Sequence, residues 1–153
     1  MTDYLKLVRD ARAGEGLTEQ HLQDLLEAIP YTEFVGITAR IKDDAVETML
    51  PFADHLIGNA RLPALHGGVI GSFLETTAII EMLWRGQGEF LPKTISLTID
   101  YLSTGKPETL YGRAHVSKQG RRVASVRVEA WQSDPNRLTA TAHGNFMLDT
   151  SSA

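Results

Sequence analysis

His66-Gly-Gly-Val-Ile-Gly-Ser-Phe-Leu-Glu-Thr-Thr-Ala-Ile-Ile-Glu-Met-Leu-Trp84 is the stretch around which the rest of the chain must be arranged. It opens on a glycine pair, closes near Gly86 and Gly88, and carries Val69, Ile70, Phe73, Leu74, Ala78, Ile79, Ile80, Met82, Leu83 and Trp84 between them. At 3.6 residues per turn these side chains fall on nearly every side, and a helix apolar all round is a buried one.

What can bury it lies on both flanks. After Pro92 the sequence reads as strands over Thr94 to Leu102, Thr109 to Lys118, Arg121 to Gln132 and Leu138 to Leu148. Their separators, Thr104-Gly-Lys-Pro107, Gln119-Gly120 and Asp134-Pro-Asn136, carry turn chemistry. Upstream, Phe34 to Ile41 and Ala45 to Leu50 form two β-like runs split by a hairpin turn at Lys42-Asp-Asp44. The first thirty residues read as helical: Tyr4, Leu5, Leu7, Val8 and Ala11 make one apolar stripe and Leu22, Leu25, Leu26 and Ile29 another, with Thr18 as a cap and Pro30 as a stop. Hairpin-length links imply an antiparallel sheet, and one sheet wrapped round one long central helix buries both. The expected class is α+β. A single domain is expected, with a helical extension over 1–30, a core over 31–148 and a solvated tail over 149–153.

At 153 residues with 42% hydrophobic and 22% charged, the chain has an ordinary globular composition and can bury a core without staples. It has no cysteine, which excludes thiol nucleophiles and Cys-ligated metals and favours a reducing compartment. A net charge of −4 argues against a nucleic-acid partner, but permits a small anionic ligand. The start, Met1-Thr-Asp-Tyr-Leu-Lys, lacks the order of a signal peptide, and no apolar run approaches the ~20 residues of a membrane span. A cytoplasmic protein with no membrane partner is the expectation.

The familiar catalytic signatures are missing: no G-x-S-x-G elbow, no Walker loop, and Gly67-Gly68-Val-Ile-Gly71 lacks dinucleotide spacing. His21, His55, His66, His115 and His143 form no H-x-H or H-x-x-x-H pair, so no metal site is expected. Glu75 stands out because it lies inside the apolar helix on the face of Gly68, Gly71, Ser72, Ile79 and Met82. A carboxylate beside nearly bare backbone has room for a ligand, and partial burial tunes a carboxylate toward service as a base. An ion-paired or solvent-edge Glu is an equally ready reading; Glu81, nearer the helix end, is expected to be the solvated one. At the helix mouth, Leu65-His66-Gly67-Gly68 offers unpaired first-turn N–H groups to a developing oxyanion, although a loop junction that needs glycine would look the same. Asn59 upstream could orient a water or carbonyl, or simply serve a turn. Arg113, Lys118, Arg121, Arg122 and Arg127 make an excess of positive charge between Thr109 and Val128, suited either to phosphates or to keeping a sheet edge soluble.

Leu65-His-Gly-Gly-Val-Ile-Gly-Ser-Phe-Leu-Glu-Thr-Thr-Ala78 resembles the signature of hotdog-fold acyl-CoA thioesterases, in the PaaI-like and 4-hydroxybenzoyl-CoA type branch. There an H-G-G opens the central helix and an Asp or Glu follows nine positions after the His, the spacing of His66 and Glu75. The resemblance extends over about residues 31 to 148, through Ile95-Ser-Leu-Thr-Ile-Asp-Tyr-Leu102 and Ala142-His-Gly-Asn-Phe-Met147. It implies hydrolysis of an acyl-CoA to a carboxylic acid and free CoA, with no metal or redox cofactor. By position, Glu75 becomes the nucleophile or general base, the Gly67 N–H after His66 the oxyanion donor, and Asn59 the group that holds thioester or water. Gly68, Lys118, Arg121 and Arg122 fall to CoA binding. A non-catalytic acyl-CoA-binding hotdog and, less readily, a hotdog hydratase are the alternatives.

Spacing adds a constraint on assembly. Gly67 and Glu75 lie roughly 12 Å apart along one helix, whereas one thioester carbonyl needs its two partners within about 7 Å. The Glu75 side chain leans back toward the helix N-terminus and could recover part of that gap, which leaves a single-chain site open. Two antiparallel helices from two chains close it more easily, and the resemblance likewise implies a homodimer, often paired into a homotetramer.

Overall fold

Side chains set the ends of the first two helices. The computed structural model describes residues 3–86 and 91–148, so the tail expected at 149–153 lies outside the described residues. Helix α1 (Tyr4–Ala13) starts where Asp3 Oδ1 accepts from the Leu5 N–H, and α2 (Glu19–Ala28) starts where Thr18 and His21 form a capping box. Val8, Ala11, Leu22, Leu25 and Leu26 on their inner faces are buried.

Pro30 stops α2 as expected and then does something the sequence reading did not foresee. It holds Ile29 in an extended conformation (φ −95°, ψ 112°) and, lacking an N–H, serves well as the first residue of a new helix. Helix α3 (Pro30–Val35) results, so the helical segment runs on past residue 30 and the strand expected from Phe34 begins only at Thr38.

Strands β1 (Thr38–Lys42) and β2 (Ala45–Leu50) pair with Lys42 opposite Ala45. The two loop residues, Asp43 and Asp44, both take φ 54°, the positive pair that matches a tight hairpin to strand twist and that Asp tolerates better than most residues. A short ribbon of β3 (Ile57–Asn59) and β4 (Ala64–Leu65) follows, then α4 (Gly67–Arg85). The last four strands, β5 (Lys93–Tyr101), β6 (Leu110–Gln119), β7 (Val123–Trp131) and β8 (Leu138–Met147), fall close to the expected runs. All six long strands form one antiparallel sheet in the order β1-β2-β6-β7-β8-β5.

Helix α4 lies on the inner face and packs on β2, β5, β6, β7 and β8. Phe73, Leu74, Ala78 and Ile80 of α4 and Ala124, Val126, Val128 and Ala130 of β7 are all buried, the latter at alternate positions as a half-buried strand requires. Close seating depends on Gly112 of β6, where a Cβ would come within 2.8 Å of the Phe73 ring. A sheet curled round one central helix is the hotdog fold.

Glu81 corrects the expectation placed on it. It is 1% exposed, accepts from the Val46 N–H at 2.9 Å and is ion-paired to Arg85, which also donates to the Asp44 carbonyl at 2.6 Å. Val46 lies one residue before the β2–β6 ladder begins at Glu47 opposite Arg113. The carboxylate thus gives a buried N–H the partner that a strand would otherwise supply, and that bond together with Arg85 offsets its desolvation.

Candidate active site

The mouth of α4 is pinned from several sides. His66 is the N-cap: its Nδ1 accepts from the Gly68 N–H at 2.9 Å, and its carbonyl accepts from the Val69 and Ile70 N–H groups at 2.9 and 3.1 Å. Tyr101 donates from its hydroxyl to the Gly67 carbonyl at 2.7 Å. The peptide between Gly67 and Gly68 is therefore held at both its oxygen and its N–H. What remains is the Gly67 N–H, to which no hydrogen bond is formed among the described residues. An oriented, unspent donor at the positive end of a 19-residue helix suits a carbonyl oxygen that gains charge.

Gly68 has its own N–H committed to His66, and a Cβ there would stand 3.0 Å from His66 Nδ1, so its bareness makes room for the capping imidazole. Gly71, expected to leave room beside Glu75, is buried, and a Cβ there would meet Ile99 of β5 at 2.9 Å; its smallness lets the edge strand close on the helix. Ser72 donates to the Val69 carbonyl and accepts from Tyr31 of α3.

Glu75 lies two turns along α4, half-buried, and its Oε1 accepts a 2.5 Å hydrogen bond from Thr94 Oγ1 of β5. Asn59 is carried toward the helix mouth by the β3–β4 ribbon, in which it pairs with Ala64. Its Oδ1 closes an Asx turn by accepting from Arg61 and Leu62 N–H, which leaves the amide nitrogen as the group free to donate. Beside the mouth a shallow cavity of about 400 Å³ opens between Leu65, Gly67 and Ile70 on one side and Tyr101, Thr104 and Gly105 on the other; Glu75 does not line it.

The five basic residues divide into two groups. Arg113 pairs with Glu47 and Asp43, and Arg127 pairs with Glu129. Lys118, Arg121 and Arg122 at the β6–β7 tip are exposed and make no ion pair among the described residues. Val123 pairs with Met147, and Met147 with Lys93, so two strand spacings, roughly 10 Å, separate the tip from the start of β5. The tip thus stands at the Thr94 and Glu75 end of the sheet, away from Gly67.

Three residues in contact with the candidate site residues escaped the sequence reading. Tyr101 and Thr94 act through long-range contacts that carry no local signal. Gly58 of β3 passes so close to His66 that a Cβ would lie 2.7 Å from the His66 Cα, and a glycine inside a strand, followed by Asn59, was the available hint.

Comparison with solved structures gives a consistent answer. A protein of Chromobacterium violaceum is 32% identical over 96% of this chain and 99% of its own, with a TM-score of 0.74. A phenylacetic acid degradation-related protein of Ralstonia eutropha is 21% identical, covering 95% of this chain and 100% of that one, at a TM-score of 0.70. A Bacillus halodurans protein solved with CoA is 20% identical, covering 98% and 93%, at 0.74. No curated protein matches the chain. The thioesterase superfamily profile matches residues 62–139, a span that runs from β4 through the helix mouth, Glu75 and the basic tip, and the chain belongs to that superfamily.

Proposed function

We propose that the protein is an acyl-CoA thioesterase of the PaaI-like and 4-hydroxybenzoyl-CoA type, whose sites are built from two chains. One observation carries the reading: a single helix presents an unspent, pinned N–H at Gly67 and a half-buried carboxylate at Glu75. The thioester carbonyl oxygen takes the Gly67 N–H of one chain while Glu75 of another faces the carbonyl carbon. Glu75 either removes a proton from water, whose oxygen bonds to the carbon, or bonds to it directly as an acyl-enzyme that water then hydrolyses. On both routes the C–S bond breaks, the sulfur leaves as thiolate and takes up a proton, and a carboxylic acid remains. Gly67 stabilises the oxyanion in between. No metal or redox group is called for, and a cytoplasmic location fits a CoA ester as substrate.

Asn59 supplies a side-chain donor to the thioester or to water. Lys118, Arg121 and Arg122 take the CoA phosphates, as their lack of carboxylate partners among the described residues favours. The same geometry calls for a second copy. Strand β5 is nine residues long, ends the sheet, and exposes Ile95 and Tyr101, with Leu102 directly after it. A long apolar edge is a pairing surface unless covered. Pairing there sets two α4 helices near one another, and two such dimers make the tetramer that the family resemblance implies.

The test is thiol release from benzoyl-CoA, hexanoyl-CoA and isobutyryl-CoA. Turnover of at least one is expected, with Glu75→Gln and Glu75→Ala slower by about 100-fold or more. Near-normal turnover in either variant removes the mechanism, whereas tight binding of all three esters without thiol release identifies a non-catalytic binding protein.

No helix among the described residues is long and apolar enough to cross a membrane.

A further inference from the structure

A register shift in β5 decides which side chain meets Glu75. Opposite β8, Thr94 pairs with Phe146 and Ser96 with Asn145, so Ile95 is an extra residue, a β-bulge. Beyond it, Leu97, Ile99 and Tyr101 pair with Gly144, Ala142 and Ala140. Those three and Phe146 are buried, so their partners on β5 share the face that looks toward α4. Strict alternation back from Tyr101 would put Ile95 on that face and turn Thr94 away. The bulge reverses this: Ile95 is 57% exposed and Thr94 reaches Glu75 Oε1 at 2.5 Å.

We propose, resting on the reading of Glu75 as base or nucleophile, that Thr94 is a positioning residue that fixes the Glu75 carboxylate for attack and that the bulge at Ile95 exists to aim it. Glu75 has no other hydrogen-bonded side chain among the described residues, so one oxygen is held by the Thr94 hydroxyl and the other is left to face the substrate. A carboxylate on a rotamer-rich Glu otherwise samples several directions, and a fixed one starts closer to the reacting geometry. The same strand anchors the other half of the machinery, because Tyr101 holds the Gly67 carbonyl. With the mouth of α4 and its mid-helix Glu75 both tied to β5, the strand keeps donor and carboxylate in one frame.

The experiment compares Thr94→Val, of the same shape without the hydroxyl, with Thr94→Ser and Glu75→Gln, using thiol release from whichever of benzoyl-CoA, hexanoyl-CoA and isobutyryl-CoA wild type turns over fastest. Thr94→Val is expected to lower kcat about 10- to 100-fold, the equivalent of losing a hydrogen bond to a charged group, with KM within about twofold. Thr94→Ser is expected to restore most of kcat. Folding of each variant is read separately by circular dichroism. If Glu75→Gln is inactive while Thr94→Val keeps kcat within threefold of wild type, the positioning role is overturned and the Glu75 reading stands. A loss in Thr94→Val that Thr94→Ser fails to restore, or a loss carried by KM, equally overturns it. Full activity in Glu75→Gln removes the underlying reading instead.

Discussion

Gly67→Pro isolates one proton. Position 67 is the first residue of α4, where proline is well accommodated because its missing N–H was never part of the helix ladder. His66 before it has φ −63° and ψ 133°, the extended conformation that a following proline requires. A Cβ at residue 67 would stand 3.5 Å from the Tyr101 ring, ordinary contact, and the Tyr101 bond to the residue 67 carbonyl survives the change. Folding should therefore be retained or improved by about 0.4–1 kcal/mol, since proline restricts the unfolded chain. What disappears is the donor aimed at the oxyanion, a loss that lowers kcat about 100- to 1000-fold, or roughly 2.7–4 kcal/mol of transition-state stabilisation. The assay is steady-state thiol release, with the melting temperature measured alongside. A second arm mixes Gly67→Pro with Glu75→Ala under subunit exchange. Random pairing makes half the dimers mixed, and one of the two sites in each mixed dimer then draws an intact Gly67 and an intact Glu75 from different chains. Recovery to about a quarter of wild-type activity follows from that symmetry. A folded Gly67→Pro protein with kcat within threefold of wild type would refute the oxyanion assignment. No recovery despite demonstrated exchange would refute the shared site.

Gly58→Ala places a Cβ 2.7 Å from the His66 Cα, about 1 Å inside ordinary carbon contact, and Leu56 O to His66 N, at 2.8 Å, is the bond that must stretch to relieve it. A displacement of that size at the helix mouth should cost about 1–3 kcal/mol of stability by urea titration and about 100-fold in kcat; unchanged values in both would show that β3 does not set the position of His66. Arg121→Ala combined with Arg122→Ala should raise KM for a CoA ester far more than it lowers kcat, with the difference fading in high salt. An equal loss on a pantetheine ester lacking the nucleotide would show that the tip does not hold phosphate.

Much of the fold was legible in the chain because its signals are local. The all-round apolar pattern of residues 66–84 marked a buried helix, turn residues after Pro92 bounded four strands within a residue or two, and Asp43-Asp44 announced a hairpin before any register was known. The His66 to Glu75 spacing likewise marked the candidate site, since both ends lie on one element whose geometry is fixed by its pitch.

Which carboxylate of α4 would be buried was a different kind of question. Glu75 and Glu81 are six residues apart, roughly 240° round the helix, and a helix apolar on all sides gives no periodic sign of which face the sheet will cover. Packing decided it: the end of β2 presented the Val46 N–H to Glu81, while Glu75 faced the edge strand. The third helix after Pro30 arose because a proline both stops and starts helices, and only burial of Thr32 and Val35 selected the second outcome. Thr94, Tyr101 and Gly58 became part of the site through pairing register and close approach between segments distant in sequence. The chain alone determined the central helix, the first two helices and the four strands after Pro92, with the spacing within each; the tertiary structure decided which side chains meet, because strand parity, bulges and interelement contact depend on partners that no local window contains.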